Sequence, residues 1–255
     1  MATAFKLDTP MMSAKEADAK IAALTKLVND DWNAVVETTP FMRELVTGKL
    51  PMKTIQEFYR NWGAFVPVIN SIYTMQFYKH LWFFVSNLEL MKPYTEKVLD
   101  EFGHPVPPGH IHILISSGEA LGLTAQEILL SPMRPRARAL ADFHRTTAND
   151  GPIHEYWATV LWEHAFGLTC LKWFTALTTH YGLTPKQADY FNKHHEADTM
   201  DHLGREAHSS VSKKALSTLL QRGIHERPGY TLEYLATTPG KLYAEMLNSA
   251  YEETH

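Results

Sequence analysis

The stretch Tyr190-Phe-Asn-Lys-His194-His-Glu-Ala-Asp198-Thr-Met-Asp-His202 carries three metal-capable side chains spaced four apart. At about 3.6 residues per turn, positions i, i+4 and i+8 drift only about 40° per step, so His194, Asp198 and His202 share one helical face. Imidazole and carboxylate together on one face suit a first-row metal such as iron, manganese or zinc.

Helical signals dominate on either side of this segment. Ser13-Ala-Lys-Glu16 is a capping box opening a periodic run through Ile21, Leu24, Leu27, Val28 and Trp32. Pro51 suits the first turn of a long helix carrying Phe58, Trp62, Phe65, Ile69 and Ile72, which Pro67 is expected to kink. Leu81 to Glu101 reads as another helix, interrupted at Pro93. Gly103-His-Pro-Val-Pro-Pro-Gly109 is the clearest break in the chain. Beyond it, helices are expected over 110–121, 124–131, 135–147, 152–181 and 185–210, and a last one from Pro239 to Tyr251. Period-2 alternation is nowhere sustained. The expectation is one all-α domain over residues 1–255, with roughly eight helices, short connections and a flexible arm of about 12 residues at the N-terminus.

Composition excludes several classes of function. The 255 residues are 45% hydrophobic and 20% charged, with a net charge of -4 and no dense basic cluster, so nucleic acid is not an expected partner. The single cysteine, Cys170, rules out an internal disulfide framework and suits a reducing cytosol. No apolar signal segment opens the chain, and no window approaches the ~18 apolar residues of a membrane span, so a cytoplasmic location without membrane contact is expected. Fourteen histidines is a high count.

Candidate ligands lie in four places. Asp100-Glu101 precedes the proline-rich break, and His110 opens the helix after it. Glu163 sits in Val160-Leu-Trp-Glu-His-Ala-Phe166, a run so apolar that a polar side chain must be buried there; a buried carboxylate needs a cation, a proton or a metal. His194, Asp198 and His202 complete the set. A bundle that aims carboxylates and imidazoles from several helices into its core is how di-iron carboxylate sites are built.

The blocks Leu99-Asp-Glu101-Phe-Gly103, His110 with Ala120-Leu-Gly-Leu123 downstream, the lone Glu163, Tyr181-Gly-Leu183, and Tyr190-Phe-x-x-His194-x-Glu-Ala-Asp198 occur in this order. Their order and spacing resemble the heme-oxygenase-like diiron oxidases, relatives of the TenA, PqqC and CADD proteins, from about Pro40 to about His208. The resemblance implies the heme-oxygenase-like helical bundle and two Fe(II) ions, with manganese as the variant in one site. The implied ligands are Glu101, His110, Glu163, His194, Asp198 and His202, with no catalytic residue beyond them. The last position is open. His202 lies four residues after Asp198, where three is commoner in the family, so a π-bulge is needed to bring it into the site; otherwise Asp201 or His195 competes.

The resemblance further implies an O2-dependent oxidase or oxygenase that acts on a small organic substrate in a biosynthetic pathway, with an external electron donor and a homodimer both compatible. N-oxygenation of an amine is the favoured reaction. Oxidative C–C cleavage of an amino or fatty acid is an alternative, as is CADD-type para-aminobenzoate synthesis, for which Lys172 is the lysine candidate. A metal-free PqqC- or TenA-like enzyme is the remaining one. His80, His144, His154, His164 and His180 read as ordinary surface or core histidines, His112 as a non-ligand, and Cys170 as a small core residue.

Overall fold

The computed structural model describes residues 8–201 and 206–255. Among these, the chain is helical throughout apart from a two-residue antiparallel pairing of β1 (Asp8–Thr9) with β2 (Ile224–His225). The first half comprises α1 (Ala14–Val35), α2 (Pro40–Val46), α3 (Met52–Lys79), α4 (Leu81–Val85), α5 (Leu88–Gly103), α6 (His110–Ala120) and α7 (Ala125–Leu130). The second comprises α8 (Pro135–Asp150), α9 (Ile153–Thr159), α10 (Glu163–His180), α11 (Asp189–Thr199), α12 (His208–Arg222) and α13 (Leu232–Glu252).

Local chemistry accounts for most helix starts. Ser13 and Thr124 form complete capping boxes with Glu16 and Glu127, and Thr39 and Thr231 cap α2 and α13 through their hydroxyls. α1 buries Ala17, Ile21, Leu24, Val28 and Trp32, a stripe at helical spacing. Trp32 stacks on Trp162 and Tyr243, with ring centroids 5.5 and 5.3 Å apart, and so joins α1 to the start of α10 and to α13. Phe58, Trp173 and Phe191 continue this aromatic core across α3, α10 and α11.

Several expected boundaries shift. The 81–101 segment breaks at Ser86-Asn87 rather than at Pro93. Asn87 leaves helical geometry at φ -142°, ψ 71°, its amide donates to the Phe83 carbonyl, and its side-chain oxygen accepts from Arg222 at 2.6 Å. α3 runs unbroken through Pro67, where Phe65, Val66 and Ile69 are all buried. The 152–181 segment divides at Val160-Leu-Trp162, so Glu163 becomes the first residue of α10, where a carboxylate favours the helix dipole. α13 begins seven residues before its Pro239, at Leu232. Among the described residues, thirteen short and long helices replace the roughly eight expected, and the breaks at 86–87 and 160–162 carry neither Gly nor Pro. At the N-terminus, the end of the expected arm is docked: Asp8–Thr9 pairs with β2 and the Met12 amide donates to the Leu220 carbonyl at 3.2 Å. Among the described residues, no helix is long and apolar enough to cross a membrane.

Candidate metal centre

Four helices and the start of a fifth converge on one buried cavity. α5 runs Leu90, Tyr94, Lys97, Glu101 along its inner stripe, so an apolar face ends in a lysine and a carboxylate one turn apart. The 104–109 loop then folds back so tightly that a Cβ on Gly109 would lie 2.2 Å from the Glu101 carbonyl oxygen. Gly109 also sits at φ +71°, in the left-handed region glycine tolerates. This return sets His110, the first residue of α6, beside Glu101. α10 and α11 approach equally closely at Gly167, where a Cβ would meet Thr199 and the Asp198 Cβ at 2.7 and 2.8 Å. Glu163 and Asp198 thereby face the same space, of about 30 Å³, also lined by Trp62, Phe65, Ile69 and Phe166.

One ligand atom each from Glu101, His110 and His194 lies within 4.8 Å of the other two, and all three residues are buried. Ligands about 2.1 Å from one tetrahedral ion stand about 3.4 Å apart, so small side-chain movements are needed to close the trio on a metal. Glu101 Oε2 lies 3.2 Å from His110 Nδ1 and accepts from the Asn70 amide at 3.2 Å once that amide is oriented to suit its neighbours. His110 Nδ1 is buried and makes no well-aligned hydrogen bond, its near neighbour being that carboxylate oxygen. His194 Nδ1 lies 2.9 Å from the Tyr190 carbonyl, which can only accept; Nδ1 therefore carries the proton and Nε2 is left with its lone pair. Burial and the neighbouring His110 pull His194 down to about 4, so it is neutral at neutral pH, as a metal ligand must be. Burial alone would raise the Glu101 carboxyl, but His110, His194 and His208 around it hold it well below the usual carboxylate range. A buried ring nitrogen without an aligned hydrogen bond, a neutral imidazole with a free lone pair and an ionised carboxylate form a donor set that fits iron or manganese.

The other expected ligands are engaged differently. Both oxygens of Glu163 are taken: Oε1 by Lys97 Nζ and, at 3.5 Å, the Tyr73 hydroxyl, and Oε2 by the Ser212 hydroxyl at 3.0 Å. Asp198 Oδ1 lies 3.2 Å from Nδ1 of His208, whose Nε2 is 3.8 Å from Asp100. Burial would lower His208, but Asp100 and Asp198 outweigh it and pull the imidazole up to about 9. α11 ends at Thr199 and Met200 is extended at φ -131°, ψ 136°, so the helix that a π-bulge would have prolonged stops short; His202 lies outside the described residues. The competing candidates Asp201 and His195 face other partners. Asp201 is exposed and accepts from the Ala207 amide at 2.9 Å, and His195 Nδ1 faces the Gly167 carbonyl at 3.0 Å. Lys172 is exposed and pairs with Glu37 at 2.8 Å, outside the cavity lining. Cys170 is fully buried in the core and burial pushes its thiol well up.

This arrangement of helices can be compared with known proteins. No protein-family model and no curated protein sequence matches the chain. Its structure does have counterparts. It is similar to a TenA homolog from Pseudomonas syringae pv. tomato (TM-score 0.68, 13% identity, 95% of this chain and 97% of that one). It is also similar to a domain of unknown function with a heme oxygenase-like fold from Shewanella denitrificans (TM-score 0.63, 14% identity, 96% and 94%). The chain has the heme-oxygenase-like fold. A CADD-like protein of unknown function from Nostoc punctiforme shares it (TM-score 0.60, 16% identity, 92% and 98%). At such identities the likeness establishes the fold, and the chemistry has to come from the cavity.

Sequence reading missed Lys97 and His208. Both left a signal: Lys97 interrupts the apolar stripe of α5, and His208 and Ser212 sit at i, i+4 on the buried face of α12. A polar residue within an apolar stripe is buried with a partner. A second cavity, of about 400 Å³, adjoins the first through His208 and is lined also by Asp100, His104, His110, Lys193, Glu196 and Glu206.

Proposed function

We propose that this protein is a non-heme iron, dioxygen-dependent oxidoreductase acting on a small organic substrate. The observation that carries the reading is the buried trio Glu101, His110 and His194. Two histidines and one carboxylate with open positions are the donor set of non-heme Fe(II) oxygenases, in which the bound iron supplies the site for O2 activation. Asn70 steadies the Glu101 carboxylate and the Tyr190 carbonyl fixes the His194 tautomer. Trp62, Phe65, Ile69 and Phe166 exclude water from the donor atoms. His208 Nδ1 holds a proton against Asp198 at the junction of the two cavities.

The adjoining cavity is where a substrate of modest size would stand. Asp100, Glu196 and Glu206 line it, and each already faces a protein cation (His208, Lys193 and Lys214 respectively), so the wall is close to charge-neutral and, among the described residues, offers no cationic patch to hold a fatty-acid carboxylate. On that ground N-oxygenation of an amine is preferred to oxidative C–C cleavage. Oxygen uptake by the Fe(II)-loaded protein, measured with a panel of amines and carboxylic acids, tests this. Uptake that depends on an amine supports the proposal. A second reading, a metal-free enzyme of the same fold, is favoured by the pairing of Glu163 and Asp198 with protein cations. Protein from iron-supplemented cells that contains no iron, manganese or cobalt would overturn the first reading in favour of the second.

A further inference from the structure

Glu163 and Asp198, which the family resemblance counts among the six ligands of a two-ion centre, each already face a cationic side chain of the protein itself. Lys97 stands one helical turn before Glu101 on α5, and its side chain is only 1% exposed. Its ammonium donates to Glu163 Oε1 and lies 4.6 Å from the centre of the Tyr73 ring, whose electron-rich face attracts it. Ser212 occupies the other Glu163 oxygen at 3.0 Å, and His208 holds Asp198 at 3.2 Å.

We propose that the Lys97 ammonium stands in for the second ion, so that this chain binds a single metal, at Glu101, His110 and His194. The inference rests on the metal-dependent reading above and deepens it. A second divalent cation would have to share Glu163 with a buried ammonium that has no solvent to swing into, and like charges repel strongly where water is excluded. Space argues the same way. The cavity of about 30 Å³ between the carboxylates holds one ion and its water, since one water needs roughly 10–15 Å³. The other acids are occupied as well: Lys97 faces Glu163 and His208 faces Asp198, which leaves Glu101, His110 and His194 for the metal. Lys97 is in this account a positioning residue, a fixed positive charge beside the ion.

The test is stoichiometric and does not depend on turnover. Metal-free protein is titrated with Mn(II), and bound equivalents are counted by metal analysis and electron paramagnetic resonance. The expected result is one equivalent with the six-line signal of an isolated ion. The Lys97→Met/Glu163→Gln double variant, which leaves no unpaired buried charge, also binds one. Two equivalents with an exchange-coupled signal in the wild type, falling to one in the double variant, would overturn the single-ion inference while leaving metal dependence intact. No bound metal in the wild type overturns both.

Discussion

Replacing Lys97 by Met leaves the buried Glu163 carboxylate with two hydroxyls, those of Ser212 and Tyr73, as its remaining partners. Removing one member of a buried ion pair costs about 3–5 kcal/mol, because the other charge stays desolvated. For a chain of this size each kcal/mol moves the melting temperature by about 2–4 °C, so Lys97→Met should lower it by roughly 6–20 °C. Glu163→Gln strands the ammonium and should cost a similar amount. The double variant removes both charges and should recover to within about 1–2 kcal/mol of the wild type, a strongly non-additive cycle. The assay is thermal and urea unfolding of the metal-stripped proteins, so that metal binding adds nothing to the apparent stability. The reasoning is refuted if Lys97→Met costs less than about 1 kcal/mol, or if the two single effects simply add.

Three further outcomes follow from the same geometry. Gly109→Ala forces a side chain into a φ of +71° and against the Glu101 carbonyl; it should cost about 1–3 kcal/mol from the backbone alone and weaken metal binding at least about tenfold, as read by unfolding and by metal titration. His208 is raised in the folded state from 6.5 to about 9, so its contribution is fully present below pH 6.5 and is lost as pH rises through 9; this corresponds to on the order of 3 kcal/mol, and His208→Asn should flatten that alkaline limb in the metal-stripped protein. Burial lowers His144 to about 3 and His154 to about 4, so their effect runs the other way: stability falls as pH drops from 6.5 toward 4, measurable as a steep decline in urea midpoint.

The helical class and the inner ends of the site were legible because they are local. Capping boxes at Ser13 and Thr124, the stripe of α1, and the i, i+4 pairing of His194 with Asp198 all follow from residues within a few turns of one another. What escaped the sequence is set by distant partners. The break at Asn87 depends on Arg222, and the turn at 160–162 on the Trp32–Trp162 stack, neither of which has a Gly or Pro marker. The end of α11 at Thr199 removed the geometric basis for preferring a bulged helix, and the imidazole beside Asp198 is His208, from the next helix. Lys97 was legible in principle as a lysine in an apolar stripe, but its consequence for Glu163, 66 positions away, needed the fold.

The central claim is that Glu101, His110 and His194 hold a metal. Equilibrium titration of the metal-free protein with Fe(II) under anaerobic conditions, set beside the His194→Ala variant, addresses it most directly. The account predicts saturable binding by the wild type and loss of affinity by at least about a hundredfold when the imidazole is removed, with the fold intact by circular dichroism. Equal binding by the two proteins, or none by the wild type, would contradict it.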